Sequence, residues 1–308
     1  MARRRKGRNI SGVLLLNKPK GISSNRALQR VRAMLNASKG GHTGNLDPMA
    51  TGLLPLCFGE ATKFSSYLLD ADKAYIACAR LGQVSDTGDA EGDIIHERVV
   101  PEISETQIRD VMDQFTGPIE QVPPMYSALK QNGQPLYKLA REGKTVERKA
   151  RPVTIYEIEL ISWQSPDLTF SVRCSKGTYV RTLAEDMGEA LGCGAHLIGL
   201  HRTHTGGFSA GEMIAFDKLQ AERDQELSLD GYLLDADILV GHFPKKDLSE
   251  VETGRILHGQ DIANDGVLTG MVRLYDAQGQ FIGLAEASAS GRLQPRRLVV
   301  NESEASDQ

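Results

Sequence analysis

The chain has 308 residues, 40% hydrophobic and 25% charged, an ordinary globular composition with enough apolar mass for one large or two ordinary domains. Seven His and four Cys (Cys57, Cys78, Cys174, Cys193) show no CxxC or HxxxH spacing, which argues against a zinc site or a disulfide framework, and no apolar run approaches the ~20 residues of a membrane span. The formal net charge of −4 hides a segregation: Asp47 is the first acidic residue, and eleven of the 36 Lys/Arg precede it.

Such cationic clustering on an acidic chain suits phosphate-backbone binding, since counterion release scales with the cations brought to the strand. Residues 1–10 form a basic tail. Val13 to Leu16 is too short for a signal-peptide core, and the unpaired cysteines fit a reducing compartment, so a cytosolic protein is expected. Gly12 to Leu16 reads as a buried strand ended by the turn Asn17-Lys18-Pro19-Lys20-Gly21. Ser23 or Ser24 then caps a helix with Ala27, Leu28, Val31 and Leu35 inward and Arg26, Arg30 and Lys39 left for a ligand.

Gly41-His42-Thr43-Gly44-Asn45-Leu46-Asp47-Pro48-Met49-Ala50-Thr51-Gly52 follows, a glycine-rich loop able to press closely on a ligand. Pro48 drives Asp47 out of the α region and so fixes the direction of a lone carboxylate. Asp47 also reads as an N-cap with Pro48 at the first position of a short helical turn, and both readings stand at this point.

Leu53 to Phe58 is the next strand, followed by a helix near Glu60 to Leu69. Ala74 to Leu81 is a further strand with Tyr75 at its start, and Thr87-Gly88-Asp89-Ala90-Glu91-Gly92 turns it towards Ile94 to Val100. Ser104-Glu105-Thr106-Gln107 is a capping box opening a helix that Gly117-Pro118 ends. From about 125 to 151 the chain reads as an arm: Met125 to Lys130, an Asn132-Gly133 turn, a helix started by Pro135, and seven Lys/Arg between Lys130 and Arg151.

Pro152 to Trp163 and Leu168 to Cys174 are strands, the second alternating cleanly. Ser175 to Thr178 turns into a helix with Val180, Leu183, Ala184 and Met187 inward, which puts Tyr179 and Arg181 at a strand-to-helix junction, a usual place for cleft residues. His196 to His201 is another short strand. Phe208 to about Phe243 reads as helical and acidic, and beyond Pro244 a helix near Leu248 to Leu257 precedes strands at Val267 to Tyr275, Phe281 to Glu286 and Arg297 to Val300. The division expected is a catalytic unit over 1–243, a small mostly-β module over 244–303, and a frayed tail at 304–308.

In this order the motifs resemble one family, the bacterial TruB-type tRNA pseudouridine synthases. The matching pieces are Gly12 to Pro19 with Gly21-Ile22-Ser23-Ser24-Asn25, Gly41 to Gly52, Gly59-Glu60-Ala61-Thr62-Lys63, and Asp72-Lys73 before Tyr75. Further along come Met125-Tyr126-Ser127-Ala128-Leu129-Lys130, Cys174 to Arg181, Gly192 to Leu197, and Pro295 to Val300. The likeness runs from about residue 10 to 302; Asn45 departs from it, standing where a smaller residue is expected.

The resemblance implies an α+β fold, a mixed, mainly antiparallel sheet carrying the catalytic unit, with a PUA-like domain at the C-terminus. It implies isomerisation of uridine 55 in the tRNA T loop, a monomer, and no cofactor or metal. It makes Asp47 the catalytic carboxylate, paired with Arg181, which would hold it ionised by lowering its pKa. Tyr75 would be catalytic with them, stacking on the flipped uracil and assisting removal of the C5 proton, with stacking the firmer role; Tyr179 and Leu200 would wall the pocket, His42 would fill or hold the opened RNA loop, and Lys18 and Pro19 would support the active-site loop. Two other classes are weighed against this: an RNA-binding and refolding protein with a vestigial pocket, and a carboxylate-dependent nucleoside hydrolase or transglycosylase, which lacks an obvious second carboxylate.

Overall fold

Alternation along two fully apolar strands explains the layers of the molecule. In Gly12–Lys18 the side chains of Leu14 and Leu16 enter one core while Val13 and Leu15 enter another; in the neighbouring Thr51–Phe58, Leu54, Leu56 and Phe58 join the first and Leu53 and Cys57 the second. A strand covered on both faces has no need of polar alternation, hence the continuous apolar runs. The structure is a computed structural model that describes residues 7–131, 133–264 and 268–299. Arg3 to Lys6 of the basic tail, Asn132 of the arm, Val267, Val300 and the tail beyond it lie outside the described residues.

The main sheet has ten strands. Its path runs Ile214–Ala215, Gly12–Lys18, Thr51–Phe58, Ala195–Thr205, Lys73–Leu81, Asp167–Cys174, Arg151–Gln164, Gly117–Gln121, with Gly40–His42 and Phe208–Ser209 pairing off it. Among the described residues of this sheet, only the pairings of Gly12–Lys18 with Ile214–Ala215 and of Thr51–Phe58 with Ala195–Thr205 are parallel. Helices Ser24–Met34 and Phe216–Asp224 cover the first core, and Glu105–Gln114 and Val180–Ala190 cover a further one on the other half of the sheet. Tyr75 and Leu200 pack against both of these cores, so they mark the seam between the two halves.

Residues 245–298 carry a five-stranded sheet in the order Lys245–Asp247, Met271–Tyr275, Phe281–Ala287, Arg292–Leu298, Ile262–Ala263, with helix Glu250–Leu257 capped by Ser249. It has its own core around Val272, Leu274, Ile282 and Leu293. It is also fastened to the large unit: Phe64 and Phe281 meet edge to face with centroids 5.3 Å apart, and Lys63 Nζ donates to the Leu298 carbonyl at 2.8 Å.

The α+β class, the capped helices at Ser23 and Ser104, and the alternating Asp167–Cys174 strand agree with expectation. Several boundaries do not. Asn17 and Lys18 belong to the first strand, because that strand pairs with Thr51–Phe58 as far as Lys18 with Gly52. The helix expected over Glu60 to Leu69 is two short turns, Gly59–Lys63 and Ser66–Leu69, and the strand after Ile94 stops at Glu97. The last strand runs Arg292–Leu298 rather than from Arg297.

Phe208 to Phe243 holds one nine-residue α-helix, Phe216–Asp224, and three short 3-10 turns. Its apolar residues serve different layers, Leu229 the first core and Leu239 and Val240 the second, and Leu234 exchanges backbone hydrogen bonds of 2.8 Å with Val13. A strap gripping two cores cannot keep a helical stripe.

Candidate active site

Asp47 does not begin a helix. Pro48 and Met49 form a tight turn closed by the Ala50 amide on the Asp47 carbonyl at 3.0 Å, after which Thr51–Phe58 starts, so the N-cap reading falls. The loop is anchored from below by Ser24, whose hydroxyl accepts from Leu46 N at 2.8 Å and donates to Leu46 O at 3.1 Å. Lys18, fully buried, donates through Nζ to the carbonyls of Pro19 (3.0 Å), Ile22 (2.6 Å) and Pro48 (3.3 Å), tying the Pro19 turn to the loop. Burial brings its pKa down to about 8.

Arg181, in the first turn of Val180–Ala190, is the electrostatic hub. Its Nη2 lies 3.1 Å from Asp47 Oδ2 and donates to the Tyr126 carbonyl at 2.7 Å; its Nη1 lies 3.2 Å from Asp89 Oδ2 and donates to the Thr87 carbonyl at 2.8 Å. Asp89 is 3% exposed and already accepts from Thr87 Oγ1 (2.8 Å) and Glu91 N (3.0 Å), whereas Asp47 keeps 40% of its side chain open. Of the two carboxylates only Asp47 is free to react.

The expected depression of the Asp47 pKa is reversed. Burial of the carboxyl pushes its pKa above the ordinary value of 3.8; Arg181 pulls down against this, but Arg181 is shared with Asp89, whose own charge pushes Asp47 up again.

Tyr75 and Arg202 sit opposite each other in the sheet, and Tyr75 is half-buried at the seam beside Leu200. Burial raises its phenol pKa, with Arg202 opposing, which leaves less phenolate at neutral pH than in free tyrosine and favours a stacking role. Tyr179 caps the Arg181 helix, its main chain held by Gln121 through bonds of 2.8 and 3.1 Å. His42 is half-buried on the edge strand Gly40–His42, and burial lowers its pKa, so the imidazole is neutral at pH 7.

A cavity of about 370 Å³ lies on the arm side of Tyr179, lined also by Gln121, Pro123, Leu129, Arg151 and Lys176. Asp47, Tyr75 and Arg181 do not line it, so the ion pair rather than the cavity marks the site. Among the described residues no group of three or more His, Cys, Asp or Glu is arranged to hold a metal ion.

The structure therefore brings Asp47, Arg181, Lys18 and Pro19 together, with Tyr75 close enough to feel the Asp47 charge and Tyr179 close enough to feel both Asp47 and Arg181. Sequence reasoning missed Asp89, Ser24 and Arg202. Asp89 lies in a segment whose glycines signal only a turn, although it holds two acids, Asp89 and Glu91; Ser24 signals a helix cap and a motif match, not a hold on the loop; Arg202 stands among His201, Thr203 and His204, just past the strand expected at His196 to His201, with nothing local to mark it.

Glu185 crowds the same hub. Its carboxyl packs where a side chain on Gly88 would be, within 2.7 Å of such a Cβ, and burial together with Asp186 lifts its pKa to about 7 from 4.5. Between those two values the folded chain holds a proton the unfolded chain has lost, so stability falls as pH rises from about 4.5 to about 7 and then levels. Glu185→Gln is expected to flatten this decline in urea-unfolding midpoints measured across that range; an unchanged slope removes Glu185 from the account.

Comparison with known proteins identifies the family. Residues 32–180 match the family model "TruB family pseudouridylate synthase (N terminal domain)", 181–241 match "tRNA pseudouridylate synthase B C-terminal domain", and 244–299 match "Pseudouridine synthase II TruB, C-terminal". The chain is 53% identical over 310 residues to a protein named tRNA pseudouridine synthase B from Chromohalobacter salexigens, covering 100% of both. It is also 53% identical over 296 residues to the protein of that name from Pseudomonas aeruginosa, covering 95% of this chain and 97% of that one. In fold it matches, with a TM-score of 0.71, 24% identity and coverage of 94% of this chain and 85% of the other, a chain from an H/ACA RNP bound to a substrate RNA containing 2′-deoxyuridine. With family models spanning most of its length and relatives matched nearly end to end, the chain belongs to the TruB family of pseudouridine synthases.

Proposed function

We propose that the protein isomerises uridine 55 in the T loop of tRNA to pseudouridine, with Asp47 as the reacting carboxylate. The observation that carries this is the half-open Asp47 carboxylate held by a buried Arg181, whose other end is occupied by Asp89. The tRNA substrate rests on the names of the relatives at 53% identity.

In the reaction the N1–C1′ bond of the uridine breaks, the uracil turns within the pocket, and C5 bonds to C1′; the C5 proton leaves and N1 regains one. A carboxylate serves by attacking covalently and leaving again, or by moving a sugar proton. Arg181 keeps Asp47 aimed, and Tyr75 stacks on the base. Tyr179 and Leu200 wall the pocket, and neutral His42 takes the place of the extruded nucleotide or holds its neighbours. Lys18 and Pro19 brace the loop from beneath.

Extruding a stacked base costs a few kcal/mol. The basic N-terminal region and the arm of about 125–151 supply compensating phosphate contacts, and the small module over 244–303 is a PUA-like domain against the acceptor-stem side. The division at 243, the monomeric state and the cytosolic location belong to the same reading; among the described residues no helix is long and apolar enough to cross a membrane.

The test uses an unmodified tRNA transcript carrying 5-³H-uridine, without added metal. Tritium is released to solvent, and a transcript with cytidine at position 55 releases none. Free uracil in the supernatant selects the hydrolase, and tight binding without either product selects the RNA-refolding protein.

A further inference from the structure

Among the described residues Arg202 is the largest side chain that is fully buried, and it makes no ion pair with a carboxylate there. A guanidinium is rarely kept in a protein interior without an acid, because its lost hydration must be replaced by other acceptors. Here the acceptors are the two limbs of the Asp47 loop. Nε donates to the Leu53 carbonyl at 2.7 Å and Nη1 to the Asn45 carbonyl at 3.5 Å, while Nη2 is buried and makes no hydrogen bond of ordinary length.

The main chain of Arg202 grips the same loop. It pairs with Gly52, and any side chain at Gly52 would put its Cβ 2.3 Å from the Arg202 carbonyl oxygen and 2.7 Å from its nitrogen. Gly52 also has φ +99°, so a glycine is required there twice over. On its other edge Arg202 pairs with Tyr75, and its charge pulls the phenol pKa down against burial. His42 and Lys18 feel the same charge.

We infer that Arg202 is a positioning residue of the active site, a clamp closing the loop from Asn45 to Leu53 so that Asp47 points at the base. This rests on the proposed function, in which Asp47 reacts. The clamp spans the loop from both ends: one residue supplies a backbone rail at Gly52 and a side-chain strut to Leu53 and Asn45. Loosening the strut leaves two carbonyls without their donor and lets the carboxylate drift.

The test takes the full chain and compares Arg202→Met, Arg202→Lys and Asp47→Asn in single-turnover tritium release and tRNA affinity. 3-Fluorotyrosine placed at position 75 is read by fluorine NMR across pH. Arg202→Met is expected to slow release about 100-fold, the cost of an ångström-scale misplacement, with affinity within about threefold. Its fluorotyrosine should titrate at higher pH than in the unaltered chain. Arg202→Lys, which keeps the charge but cannot reach both carbonyls, should fall between and leave the fluorine titration near its original position.

A near-normal rate in Arg202→Lys and Arg202→Met overturns the clamp. So does a loss of rate matched by an equal loss of tRNA affinity with an unmoved fluorine titration, the signature of general structural damage. If Arg202→Met does not fold, Arg202→Lys decides alone: a rate equal to that of the unaltered chain overturns the proposal, and an intermediate rate with intact affinity supports it. Turnover retained by Asp47→Asn strikes the underlying reaction instead, and is seen separately.

Discussion

Asp47→Asn is expected to abolish tritium release, lowering it by more than ~10⁴-fold, while tRNA affinity stays within about tenfold, because the reacting group is lost and the phosphate contacts are not. The change keeps the shape of the side chain and removes its charge. Arg181 retains Asp89 and two carbonyls, so no cation is stranded. Ionised Asp47 is opposed by burial and by Asp89, so the fold should be no less stable for losing it, the usual trade between activity and stability. Turnover within tenfold of the unaltered chain would falsify the catalytic assignment.

The same geometry sets the pH dependence. In the proposed reaction Asp47 acts ionised, and its pKa lies above the ordinary carboxylate value of 3.8, so activity should rise with pH through a limb displaced upward from that value. Asp89→Asn removes a charge that raises Asp47 and should move the limb to lower pH.

Arg181→Met should be the most damaging single change to the fold near the site. The guanidinium is 6% exposed and lies between two carboxylates, one of them 3% exposed. Taking it away leaves Asp89 buried and uncompensated and frees the Thr87 and Tyr126 carbonyls, a loss of about 3–5 kcal/mol by comparison with other broken buried pairs. Release of tritium should fall at least about 100-fold in what still folds. Arg181→Lys keeps the charge but not the fork and should lie between. Urea-unfolding midpoints measured beside single-turnover rates check both halves, and an unchanged midpoint with a normal rate would remove the hub from the account.

The sequence made the site legible where local chemistry and position coincide. Pro48 after Asp47, the glycines at 44 and 52, and the strand-to-helix junction at Tyr179–Arg181 each state a backbone constraint that can be read one residue at a time. The apolar runs at 12–16 and 53–58 announced strands for the same reason. What stayed hidden is what folding assembles from afar. Asp89 reaches Arg181 across 92 positions, Arg202 reaches Asn45 across 157, and Ser24 meets Leu46 only because a helix end lies under the loop. The direction of the Asp47 pKa was misjudged because charge pairing can be guessed from residue types, whereas burial and a shared partner cannot. The strap from 208 to 243 misled because its leucines answer to two different cores.

The junction between the large sheet and the small one has a mechanical consequence. Phe64 against Phe281 and the Lys63 bond to Leu298 make a welded joint rather than a tether. The span from Asp47 to the far rim of the small sheet is thus a fixed gauge written into the packing. In the proposed function an RNA that touches both ends meets a set spacing, and no entropy is spent on stilling a swinging domain when it docks.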